Sequence, residues 1–116
     1  MEELLIGILN KFGYPVRRQG SLTEDEQYPE HFFTFWNVDT GDGSHYDNHT
    51  VSTVWNFTVN FYSTDPDKTY SELEKARKAL KKAGFICPGK GYDVASGEVT
   101  HTGRGIDIIF LENEEV

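Results

Sequence analysis

The chain has 116 residues, a formal net charge of −8, one cysteine, and sixteen aromatic side chains: eight Phe, six Tyr and two Trp. That length supports one hydrophobic core and not two. The acidity argues against wrapping of nucleic acid by the whole surface, because that mode needs Lys and Arg against phosphate. Cys87 alone excludes an internal disulfide framework or a multi-cysteine metal site, and a reducing compartment is the natural expectation.

The first segment, MEELLIGILNKF, has acidic residues where a secretory signal needs basic ones. No stretch reaches the roughly 18 apolar residues of a membrane span. Leu4, Leu5, Ile8, Leu9 and Phe12 recur at helical spacing, and Gly13 followed by Pro15 is a stop signal, so an amphipathic helix opens the chain. Tyr14 to Gly20 reads as a short edge strand and Ser21 to Glu30 as a polar connection. His31 to Val38 has strand composition, with Phe33, Phe35 and Asn37 on one side and Phe32, Trp36 and Val38 on the other.

Asp39 to His49 (DTGDGSHYDNH) is rich in turn formers and lacks an apolar period, which predicts a long hairpin loop. Thr50 to Ser63 alternates cleanly: Val51, Thr53, Trp55, Phe57, Val59 and Phe61 share one face, and the opposite face is mostly polar. Asp65 with Pro66, or Thr64 with Asp67, then starts a helix striped by Tyr70, Leu73, Ala76, Arg77, Leu80 and Ala83 and ended by Gly84. Phe85, Ile86 and Cys87 begin a strand, Pro88 to Gly91 turns, and Gly97 to Leu111 carries a final apolar run. Two helices separated by strands predict a single α+β domain over 1–116, a mainly antiparallel sheet with the N-terminal helix and the second, long helix on one face.

Several residue groups invite a chemical reading. Three aspartates and two histidines within Asp39 to His49 suggest metal ligands, but the glycines fall where a calcium loop needs acidic or amide residues, and His45 and His49 are four apart in a segment that is not helical. Gly89 to Gly91 (GKG) lacks the spacing and the hydroxyl residue of a phosphate loop. His101 to Gly105 (HTGRG) places His101 and Arg104 near each other, and its glycines favour a bend or hairpin over an anion site. Cys87 sits in an apolar run and reads as a buried thiol. These readings leave no catalytic constellation, no metal site and no cofactor.

One charge feature stands out. Between Asp67 and Ala83 six basic residues (Lys68, Lys75, Arg77, Lys78, Lys81, Lys82) face three acidic ones (Asp67, Glu72, Glu74), a local excess of +3 that leaves −11 for the rest of the chain. A basic helix on an acidic body suits head-to-tail association of identical copies.

The stretch Val54 to Phe85, VWNFTVNFYSTDPDKTYSELEKARKALKKAGF, runs from a long aromatic strand through an aspartate-bearing turn and an amphipathic helix to a Gly-Phe exit. With a helix before it and a short apolar strand after it, the chain resembles the small tail terminator or tail completion proteins of long-tailed bacteriophages, and pieces of head-to-tail joining proteins. The resemblance implies a virion subunit made in the host cytoplasm, without catalysis. It implies a hexameric ring at the head-proximal end of the tail, between tail tube and head connector proteins, with DNA passing through the lumen without specific binding and no membrane partner. On this reading Asp39, Asp42, His45, Tyr46 and Asp47 in the loop and Lys75, Lys78 and Lys82 on the helix meet neighbouring subunits. The alternative from another class is a small regulatory module that binds a ligand or peptide in a groove lined by aromatics such as Trp36 and Tyr46.

Overall fold

The computed structural model describes residues 1–18, 29–46, 49–96 and 100–113, with backbone alone for 42–46 and 49–51. In chain order the elements are α1 (Glu2–Asn10), β1 (Val16–Arg18), β2 (His31–Tyr46), β3 (His49–Ser63), α2 (Pro66–Lys82), β4 (Tyr92–Val94) and β5 (Thr102–Asn113). The strands form one sheet in the order β1-β2-β3-β5-β4. β1 runs parallel to β2 and every other pair is antiparallel, so the fold is α+β with a mixed, mostly antiparallel sheet.

Period-two alternation sets one face of the sheet. Phe33 pairs with Phe61 and Phe35 with Val59 across β2 and β3, and Phe57 and Val59 pair with Ile108 and Ile106 of β5. Against this face pack Leu5, Ile8 and Leu9 of α1 and Leu73, Ala76 and Leu80 of α2, each buried. Each of these larger side chains contributes roughly 1.5–3 kcal/mol by leaving water, so the two helices and the face they cover depend on one another.

Local chemistry fixes both ends of α2. The Asp65 carboxylate accepts from Asp67 N–H at 3.0 Å with Pro66 at the first helical position, which selects the Asp65 register over Thr64. At the far end Gly84, at φ +103°, lets Gly84 N–H reach Lys81 O and Phe85 N–H reach Leu80 O, closing the last carbonyls.

Three expectations are corrected. Asp39 to His49 is not a long loop: β2 continues to Tyr46 and β3 resumes at His49. Irregularities at Asn37/Asp39, Asp42/Ser44 and Ser44/His45 absorb the glycines and aspartates within the ladder. The resulting arm helps stretch the molecule to 53 × 29 × 22 Å. Phe85 to Cys87 is not a strand; Ile86 makes a single bridge to Ile109 through two hydrogen bonds of 2.7 and 2.9 Å, and the edge strand is Tyr92–Val94.

The segment from Thr102 to Gly105 is not a bend but the start of β5. Its glycines serve close approach: a Cβ at Gly103 would lie 2.7 Å from the Tyr62 ring, and one at Gly105 would strike the Asn60 side chain. Gly103→Ala therefore lowers stability by about 1–3 kcal/mol through overpacking, read as a fall of several degrees in melting temperature. An unchanged melting temperature contradicts the close approach.

Candidate functional site

Both helices lie on one side of the sheet, so the opposite face shows what the sheet itself can present. Near the start of β2 this face is closed. Phe32 stacks on Tyr62 with ring centroids 5.2 Å apart, and Tyr62 lies over Gly103. Asn60 and Thr34 are paired in register and are only 2% and 5% exposed. The polar residues that alternation assigns to an exposed face are thus buried by neighbouring rings, and Asn60 Oδ1 and Thr34 Oγ1 have no hydrogen-bond partner among the described residues.

Further along, Asp107 Oδ1 accepts from Thr58 Oγ1 at 2.9 Å and from Tyr92 Oη at 2.8 Å. Burial, then the Asp107 hydrogen bond and charge, push the Tyr92 phenol above its ordinary value. Beyond that row the face opens. Trp36, Val38 and Leu111 are 40%, 59% and 48% exposed. A shallow depression of about 530 Å³ is lined by Trp36, Val38, Asn56 and Ile109 with the carboxylates of Asp39 and Asp107.

The other outer surface is α2. Because Leu73, Ala76 and Leu80 point at the sheet, Ser71, Lys75, Lys78 and Lys82 fall on the outward stripe and are exposed. Lys75 pairs with Glu72 at 3.3 Å. Among the described residues no carboxylate lies within ion-pair distance of Lys78 or Lys82. Arg77 does not join the stripe: its guanidinium turns back to Glu74 at 2.8 Å and to Gly89 O at 3.2 Å.

The residues expected at an interface therefore fall into two groups on separate elements. Lys75, Lys78 and Lys82 share the α2 stripe. Asp39 lies on the open sheet face, Asp42, His45 and Tyr46 lie further along β2 where the backbone alone is described, and Asp47 lies outside the described residues. The backbone register sets Tyr46 opposite His49 and His45 opposite Thr50. Sequence reasoning missed Ile109 and Leu111, which β5 carries to the same face as Trp36.

It also missed a serine–histidine pair. Ser63 Oγ accepts from Asp65 N–H at 2.9 Å and shares a hydrogen bond with His31 Nδ1 at 2.7 Å, while His31 Nε2 lies 3.9 Å from Glu30. Ser63 is fully buried, so this arrangement joins the start of β2 to the turn before α2 and presents no nucleophile to solvent. His101 and Arg104 are not brought together. His101 Nε2 donates to Pro29 O at 2.8 Å, whereas Arg104 pairs with Asp93 at 2.8 Å and stacks on Tyr70, its guanidinium 4.2 Å from the ring centre.

Cys87 is half-buried, and burial pushes its thiol up against the opposing influence of Arg77 and Lys81. No protein-family model matches the sequence, and a search of the curated proteins gives no match.

Two outcomes test these local assignments. Ser63→Ala removes one buried hydrogen-bonding hub and lowers stability by about 1–3 kcal/mol, measured by urea denaturation. Cys87, protonated at neutral pH, reacts with iodoacetamide more slowly in the folded protein than in the urea-unfolded chain; equal rates contradict the burial of the thiol.

Proposed function

We propose that this chain is a structural virion subunit of a long-tailed bacteriophage, a tail terminator or head–tail joining protein that assembles into a ring, with six copies expected, at the head-proximal end of the tail. The observation that carries the reading is the polarity of the molecule: an outward lysine stripe on α2, set on a chain that is otherwise strongly acidic. Unlike charges on different parts of one surface favour contacts between copies in a head-to-tail sense, and such contacts close into rings when the rotation allows.

Two further features support it. The β2–β3 arm extends from the body of the sheet, and the N-terminal helix, the long strand β3, the helix α2 and the late strand β5 on which the resemblance was drawn are all present in this chain. In this role the chain needs no cofactor. It contacts copies of itself, the tail tube protein and the head connector, and DNA passes through the ring without specific binding. The depression beside Trp36 favours the second reading, a ligand- or peptide-binding module, if a small molecule or peptide occupies it saturably.

Native mass spectrometry and negative-stain imaging, with and without tail tube protein, test the proposal. The expected result is a discrete ring, alone or on the end of assembled tube. A strict monomer at high concentration that forms no ring when tube protein is added overturns it.

A further inference from the structure

We infer that the lysine stripe of α2 in one copy docks on the helix-free sheet face of the next, with Lys75, Lys78 and Lys82 over the depression at Trp36 and between Asp39 and Asp107. This rests on the self-associating reading above and names the two surfaces that meet.

Charge selects the occupant. The open end of the sheet face combines exposed apolar groups, Trp36, Val38 and Leu111, with two carboxylates. Both hydrogen bonds that Asp107 accepts among the described residues go to Oδ1. A two-fold pairing of this face with itself would set the aspartates of one copy against those of the other, which like-charge repulsion opposes. The first turn of α1 carries Glu2 and Glu3, the same sign as the depression, with Glu2 already paired to Arg18 at 2.9 Å. The α2 stripe gathers three exposed lysines, of the opposite sign, along one helix.

Side-chain form fits as well. Lysine lays an apolar four-carbon stem along apolar surface while its ammonium reaches a charged or aromatic partner. Trp36 offers both a flat apolar face and a ring quadrupole that attracts a cation. Lys78 and Lys82 have no carboxylate to give up among the described residues, and Lys75 has only an exposed pair with Glu72 to exchange.

Geometry then fixes the type of assembly. The stripe lies on the outer side of the helical layer and the depression on the opposite side of the sheet, so the two patches of one copy face away from each other. One contact leaves one free patch of each kind at the ends. The same contact repeats from copy to copy until it closes as a ring or runs on as a filament.

The test is a charge swap read by native mass spectrometry, with tail tube protein present if wild-type assembly requires it. One variant carries Lys75→Glu, Lys78→Glu and Lys82→Glu; the other carries Asp39→Lys and Asp107→Lys. Because Asp107 also holds Thr58 and Tyr92, Asp39→Lys with Leu111→Lys replaces the second variant if its melting temperature falls. Each variant alone is expected to need about tenfold or more protein to assemble. An equimolar mixture recovers assembly with the two variants alternating, since each reversed surface then meets its complement.

A helix-reversed variant that assembles like wild type overturns this contact and leaves self-association standing. Loss of assembly from the sheet substitutions alone, with no rescue on mixing, assigns the depression to a symmetric copy or an external peptide and also overturns it. A wild-type chain that stays monomeric even with tube protein removes both the contact and the reading it rests on.

Discussion

The sheet has two faces, and both helices pack on the same one. Phe33, Phe35, Phe57, Val59, Phe61, Ile106 and Ile108 present a continuous apolar face, and α1 and α2 place Leu5, Leu9, Leu73 and Leu80 on it. Because side chains alternate along β3, β5 and β2 as far as Asn37, a slip of one residue there would turn this face to solvent, so burial fixes the register of the central sheet. The alternate residues, Phe32 to Trp36 on β2 and Asn56 to Tyr62 on β3, are then committed to the side without helices.

That second side solves its burial with its own side chains. Toward the start of β2, side chains pack closely against glycines: the Tyr62 ring against Gly103, with Asn60 against Gly105 beside it. Toward the arm no such cover comes from the described side chains, and Trp36, Val38 and Leu111 are exposed on the face that carries Asp39 and Asp107. The core thus determines where an apolar, acidic surface is left open, and the same packing turns the lysines of α2 outward on the other side of the molecule. The two patches follow from how one core is built, and the proposed assembly joins them.

Period was the most legible signal. The alternation from Thr50 to Ser63 and the stripe of Leu73, Ala76 and Leu80 each point to one element, and the cap at Asp65 and the stop at Gly84 are local chemistry that needs no tertiary context. The continuation of β2 beyond Asp39 was not legible, because glycine and aspartate carry no strand preference and the ladder with β3 holds them extended. Gly103 and Gly105 read as turn formers for a similar reason: close approach by Tyr62 and Asn60 exists only after β3 and β5 pair. Of the candidate surface, the lysine stripe could be read from helical spacing. The patch around Trp36 could not, since Ile109 and Leu111 come from a strand more than 70 residues away in sequence, and the His31–Ser63 pair spans 32 positions.

The central claim is that the helix-free face is buried against another copy. Trp36 reports on it directly once Trp55, which stacks on Phe57 and donates to Glu112 at 3.3 Å, is replaced by Phe. The measurement is the emission maximum of Trp36 in the Trp55→Phe chain, followed from dilute monomer to assembled protein and back by adding salt. The account predicts a shift to shorter wavelength on assembly that salt reverses, because apolar cover and screened charge act at the same place. Assembly with an unchanged Trp36 emission would contradict it.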